Sequence, residues 1–293
     1  MVLTAGGVTW LGLVCNVVLA AAKVLAGLVF ASQAILADGL HSVSDLITDL
    51  AVLAGLRASS RPADLSHPYG HRRVGTLVAM FVGAGLLGAA GIIAYTAVRS
   101  LHGPADGLRS TVPLALALAT IPVKEFLFRI TRYVGLRDGG LSLRVNAWHH
   151  RSDAATSVAA AVGLAGVAVG GADWAFLDPL TAMVLAAFLA VMAVGMIRKA
   201  AGELIDRAPG RSALDNIRGT LGDTPGVVTF HALRARQVGG KIAMDVHIQV
   251  EPGLTVAQGH RIAADLRRHI IEHDPHVIEV VVHVEPVKGT QGA

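Results

Sequence analysis

Two stretches of the chain place imidazole and carboxylate groups at helical spacing. In LADGLHSVSDLITDL, Asp38, His41, Asp45 and Asp49 recur at intervals of three and four, which sets them on one face of a helix. In NAWHHRSDAATS, His149 and Asp153 are again four apart. The signature His-x-x-x-Asp is therefore duplicated, and each copy aims one imidazole and one carboxylate the same way, one turn apart. Two such helices face to face would offer two nitrogen and two oxygen ligands to one ion, the tetrahedral set that zinc takes. Asp38 and Asp49 are read as supports, either outer partners of the histidines or acceptors on an ion's path. His150, three residues before Asp153, is the rival to His149, displaced about 100° round the helix. The alternative for the whole pattern is a pair of hydrogen-bonded polar seams that hold two helices together.

The elements that carry these residues are apolar. Of 293 residues, 53% are hydrophobic and only 16% are charged. The mean hydropathy is +0.56, too high for a soluble protein whose surface must be covered by charge. Apolar windows of roughly 20 residues begin near Val8, Ala34, Val74, Val112, Ala147 and Trp174, which predicts six membrane helices. Aromatics are 4%, and small residues dominate the apolar content; small residues let membrane helices approach closely. An α-helical bundle is expected, not a β-barrel. At membrane depth an ionisable group costs several kcal/mol unless it is paired, hydrated or metal-bound, so a functional site is the leading reading of the His/Asp faces.

Charge placement orients the bundle. Arg57, Arg61, Arg72 and Arg73 lie in the second connection, Arg132, Arg137 and Arg144 in the fourth, and Arg198 and Lys199 after the last helix. The positive-inside rule places these segments and both termini in the cytoplasm; the third connection is mixed. No basic stretch precedes the first apolar run, so a cleaved signal peptide is not expected. The scatter of the Arg residues that raise the net charge to +4 fits membrane orientation and no nucleic-acid partner. A single cysteine, Cys15, argues against thiolate metal chemistry. Asn16 and Lys23 form a polar stripe on the first helix, while Lys124 and Glu125, adjacent in the fourth, face different ways. There is no HExxH and no Walker A loop, so neither a membrane protease nor an ATP-driven pump is expected.

Two further histidine groups lie outside the apolar windows. PADLSHPYGHRR holds Asp64, His67 and His71 within eight residues, enough for a second ion or for an ordinary polar loop. After Ile205 the composition becomes that of a soluble domain. A helix is predicted over 212–221, strands over 227–237 and 242–250 around Gly239-Gly240, a helix over 255–272 capped by Thr255, and a strand over 277–284. This α-β-β-α-β order predicts a small α+β domain with helices on one face of an antiparallel sheet, dividing the chain into a membrane part, 1–204, and a cytoplasmic part, 205–293. Antiparallel pairing could bring His247 and His283 together, with Glu285 on the same strand face as His283; solvated surface histidines are the plainer reading. His269, His273 and His276 are read as surface residues.

Taken together, ADGLHSVSD, HPYGH, NAWHHRSDA, Asp178-Pro179 and the tail pattern resemble the cation diffusion facilitator family over nearly the whole chain. The resemblance implies a homodimeric, multi-pass antiporter in a lipid bilayer, here a bacterial inner membrane. Such a protein exports divalent metal in exchange for protons by alternating access and carries a ferredoxin-like cytoplasmic domain. By position, His41, Asp45, His149 and Asp153 match the family's transport site, and Asp64, His67 and His71 its loop site. His231, His247, His260, His283 and Glu285 match metal-binding positions in the tail. The histidine pair resembles the zinc-transporting branch, with Zn2+ as cargo and regulatory ligand, Fe2+ as its competitor and Mn2+ further behind. A metal sensor or assembly factor that keeps the fold without transporting is the alternative of another class. The chain departs from the family pattern where RRVGTL follows HPYGH without an acidic residue, and where Glu285 stands at a position commonly aspartate.

Overall fold

A computed structural model describes residues 4–59, 61–102, 110–137 and 141–287, with side chains left out at 5, 48–59, 141–145 and 149. Asp49 and His149 therefore lie outside the described side chains, although both belong to helices. Two compact units divide the chain, Met1–Leu53 with Phe81–Ile197, and Ala54–Met80 with Arg198–Ala293.

Among the described residues, six long α-helices come first: α1 (Ala5–Val29), α2 (Gln33–Ser59), α3 (Arg73–Leu101), α4 (Val112–Arg137), α5 (Leu141–Gly170) and α6 (Leu177–Leu204). A 3-10 turn, Gly171–Trp174, joins α5 to α6, so the sixth helix begins three residues later than its apolar window. The segments Gly6–Val29, Arg73–Leu101, Asn146–Trp174 and Leu177–Leu204 are long and apolar enough to cross a membrane. The helices α2 and α4 are of similar length but carry the polar residues, Asp38, His41 and Asp45 on one, Thr120, Lys124 and Glu125 on the other.

Within the first unit, small side chains set the spacing. Its core is mostly alanine, with Ala34, Ala37, Ala90, Ala117, Ala160 and Ala186 packed around Ile35 and Leu164. Larger apolar side chains such as Trp10, Leu28, Phe81 and Val191 are exposed, as lipid-facing residues would be. α1 and α2 touch backbone to backbone: a Cβ at Gly27 would lie 2.7 Å from the Cα of Leu36, and one at Gly39 would lie 2.8 Å from the backbone N of Val24. Gly39 follows Asp38, so this contact delivers Asp38 to the Lys23 side of α1.

The start of α2 is held from a distant part of the chain. Asp178, in the first turn of α6, accepts hydrogen bonds from Ser32 Oγ at 2.8 Å and from the backbone N–H groups of Gln33 at 2.7 Å and Ala34 at 3.0 Å. The two backbone groups are donors that a helix leaves unsatisfied at its N-terminus. Asp178→Ala is expected to cost about 1–3 kcal/mol, read as a lower thermal midpoint in detergent; an unchanged midpoint would contradict this capping role.

In the second unit the helices α7 (Arg211–Gly222) and α8 (Val256–His273) alternate with β1 (Thr229–Val238), β2 (Lys241–Val250) and β3 (Val277–Pro286), each within two residues of its predicted bounds. Thr255 closes a capping box with Gln258 at the start of α8. Gly239 and Gly240 turn β1 into β2 at φ of 60° and 72°, the left-handed pair that a two-residue hairpin needs. The sheet order is β1-β2-β3. β1 and β2 are antiparallel, but β2 and β3 are parallel, which corrects the expected all-antiparallel sheet. The reason is the connection: β2 reaches β3 through α8, and such a crossover brings the chain back in the same direction. Met244, Val246 and Ile248 pack with Ile217, Leu221, Leu266 and Ile270, so the even positions of β2 face the helices and His247 turns to the open face.

Candidate metal centres

The first centre is built by α2 and α5. His41 and Asp45 are one turn apart, with Nε2 3.7 Å from Oδ2, and Asp153 on α5 joins them. One ligand atom from each of the three lies within 4.8 Å of the others. His41 is 6% exposed and Asp153 4%. The ring of His41 meets Phe188 edge-on, with centroids 6.0 Å apart, and its Nδ1 is buried without a hydrogen-bond partner. Three of the four residues expected at this site are thus together; the fourth, His149, belongs to α5 but its side chain is outside the description. Its rival His150 is buried at 2% against α1, where a Cβ on Gly12 would lie 3.2 Å from its Nε2.

Two lysines accompany the carboxylates. Lys23 Nζ lies 2.7 Å from Asp38 Oδ2 and donates to Ser157 Oγ at 2.9 Å. Asp38 also accepts from Thr156 at 3.1 Å and Ser157 at 3.0 Å. The support expected for the histidines is therefore, among the described side chains, a partner of Lys23, Thr156 and Ser157. Lys124 Nζ donates to Asp153 Oδ2 at 2.7 Å and to Asn16 Oδ1 at 2.8 Å. Glu125 points elsewhere and accepts from Arg129 at 2.8 Å, one turn on. Sequence reasoning noticed both lysines but assigned neither a carboxylate. Buried charges without partners are rare because desolvation costs several kcal/mol per ion, and that rule pointed to a pairing without naming the partner.

The second centre is the loop before α3. Asp64 Oδ1 accepts from Ser66 Oγ at 2.7 Å, His67 N at 2.7 Å and Ser66 N at 2.9 Å. His67 Nδ1 and His71 Nε2 lie 3.5 and 3.6 Å from its two oxygens, and the two ring centroids lie 4.2 Å apart with the rings tilted at 40°. The three ligand atoms lie within 4.8 Å of one another. Hydrogen bonds from the Ser66 hydroxyl and the His67 backbone hold the Asp64 carboxyl down at about 2, from an ordinary 3.8. A lowered value means the carboxylate's contribution is present above about pH 4 and is lost as pH falls through about 2. Between pH 7 and 5 the Asp64 carboxyl therefore stays ionised. Asp64→Asn is expected to lower loop affinity at pH 7 and at pH 5 alike, measured by metal titration at both; a loss seen at pH 7 and absent at pH 5 would contradict it.

The third centre crosses the open face of the tail sheet. The register aligns His231 on β1, His247 on β2 and His283 on β3. Glu285 reaches back across the row, with Oε2 2.9 Å from His231 Nε2 and Oε1 2.9 Å from His247 Nδ1. These bonds hold its carboxyl below the usual range, His231 contributing most. His231, His247 and Glu285 form the compact ligand group. The ring of His283 lies against that of His247, centroids 4.6 Å apart and tilted at 49°, its Nε2 3.5 Å from Glu285. His260 is exposed on α8 and stands outside the group; Val284 faces Gly259 of α8, so its neighbours His283 and Glu285 turn to the other side. Parallel pairing, not the antiparallel pairing expected, brings His247 and His283 together. Glu285→Gln is expected to weaken tail metal binding more than about 100-fold, read by calorimetry; unchanged binding would remove Glu285 from the set.

Comparison with known proteins finds relatives over nearly the whole chain. Residues 9–205 match the family profile of a cation efflux transmembrane domain, and 209–287 that of a cation efflux protein cytoplasmic domain. The chain is similar to Metal tolerance protein C1 of Arabidopsis thaliana, 35% identical over 291 residues, covering 94% of this chain and 61% of that protein. It therefore spans about three fifths of that relative's length. It is similar to the manganese efflux system protein MneP of Bacillus subtilis, 29% identical over 284 residues, covering 95% of each. The magnetosome protein MamM of Paramagnetospirillum magneticum is 33% identical over 256 residues, covering 86% of this chain and 79% of that protein.

Proposed function

The chain belongs to the cation diffusion facilitator family, and from that premise we propose that it exports a divalent transition-metal ion, zinc foremost, in exchange for protons. The observation that supports this reading is the convergence of His41, Asp45 and Asp153 from two helices, with His41 and Asp153 buried; we assign His149 as the fourth ligand. A metal binds neutral imidazole and ionised carboxylate, so metal and protons compete for one set of side chains. If that set opens alternately to each side, a proton gradient moves metal the other way without ATP. Imidazole favours zinc or iron over manganese, which prefers oxygen; the relative named for manganese efflux keeps that ion as the rival cargo.

The membrane architecture we assign has six spans, both termini in the cytoplasm of a bacterial inner membrane, and a division at residues 204 and 205. α2 and α4 have 27 and 26 residues, about 40 Å at 1.5 Å per residue, more than the roughly 30 Å of hydrocarbon to be crossed. Asp38 and His41 of α2 and Thr120 and Lys124 of α4 are buried, as the inward face of a span requires. The working unit is a homodimer, in which metal at the tail and loop shifts the population of membrane conformations. This assignment is supported by the match of residues 209–287 to a cytoplasmic domain profile and by the ready-made ligand row on the sheet.

The test is uptake into proteoliposomes offered zinc, iron, manganese and cadmium, with and without an imposed proton gradient. Zinc is expected to move fastest and to accelerate with the gradient. Metal binding without flux of any ion would assign the chain instead to a sensor or assembly role.

A further inference from the structure

A cation already occupies part of the proposed ion site. Lys124 is 2% exposed, and its ammonium sits 2.7 Å from Asp153 Oδ2, the carboxylate whose oxygen lies within 4.8 Å of ligand atoms of His41 and Asp45. An arriving divalent ion and this ammonium cannot both hold Asp153, because repulsion between cations a few ångströms apart in a partly desolvated site far exceeds thermal energy. The ammonium does have a second, uncharged partner: Asn16 Oδ1 on α1 at 2.8 Å. Lysine suits such a shift, being a compact charge on a flexible four-carbon stem. The neighbouring pair Lys23–Asp38 differs, since Asp38 is fixed from three sides by Lys23, Thr156 and Ser157 and is outside the ligand group.

Resting on the transport-site assignment above, we propose that Lys124 is a tethered counter-cation. It neutralises Asp153 while the site is empty, is displaced onto Asn16 when metal binds, and returns to Asp153 as metal leaves. Lys124 is thus a positioning residue that weakens metal binding and speeds release.

The test is zinc uptake by the full-length protein in proteoliposomes, resolved into KM and Vmax. Lys124→Gln removes the competitor and is expected to lower KM about tenfold or more and to lower Vmax, because release slows. Asn16→Leu removes the alternative partner and is expected to raise KM instead. Lys124→Arg keeps the charge and is expected to hold KM near that of the wild type. Opposite shifts in the first two variants support the role; shifts in the same direction, or none, overturn it. If Lys124→Gln does not fold, judged by size-exclusion chromatography, Asn16→Leu and Lys124→Arg decide: an unchanged KM in the former, or a KM lowered as expected for the glutamine variant in the latter, overturns the proposal. Failure of the underlying site assignment looks different, because Asp45→Ala would then transport like the wild type.

Discussion

Asp45→Ala is expected to reduce zinc uptake to the background of empty vesicles. Asp45 is one of two carboxylates in the group with His41 and Asp153, and its loss takes both a ligand atom and a negative charge from the site. Outer partners of metal ligands cost 10–100-fold when removed, so a direct ligand is expected to cost more than about 100-fold. The charge matters as much as the ligand: with Lys124 against Asp153, the remaining site would offer a divalent ion little net attraction. Asp45 is only partly buried, so the variant is expected to fold, and an unaltered size-exclusion profile beside absent flux is the predicted pair of observations. Normal flux would show that metal crosses elsewhere.

His149 and His150 are expected to fail in different ways. His149 is four residues from Asp153 and shares its helix face, so as a direct ligand its loss in His149→Ala is expected to raise the KM for zinc more than about 100-fold with little loss of stability. His150 is buried at 2% beside Gly12 of α1, a packing position. His150→Ala is expected to lower stability by about 1–3 kcal/mol and leave KM within a few-fold of the wild type. The checks are KM from uptake and the thermal midpoint of each variant. If the two effects are exchanged, His150 is the ligand.

The parts of this structure legible in the sequence are those set by local periodicity. His41 and Asp45 share a face because they are four apart, and the tail elements fell within two residues of prediction because Thr255, Gly239 and Gly240 act on their own neighbours. Asp64, His67 and His71 converge because one short loop contains all three. Contacts between distant segments were less legible. Asp178 opens α6, but its carboxylate serves the N-terminus of α2, 144 to 146 residues away. Lys124 finds Asn16 across 108 residues, and no spacing rule within α4 points to it. The row His231, His247, His283 depends on sheet register, which alternation of side chains along one strand leaves open. The direction of β3 was legible too, because the predicted order of strand, helix and strand calls for a crossover, which returns the chain parallel to β2.

Anomalous diffraction at the zinc edge from crystals of metal-loaded protein tests the central assignment most directly. The predicted result is a zinc ion about 2.0–2.2 Å from ligand atoms of His41, Asp45, His149 and Asp153. Zinc confined to the loop and tail groups, with the helix site empty in a protein that still transports, would contradict it.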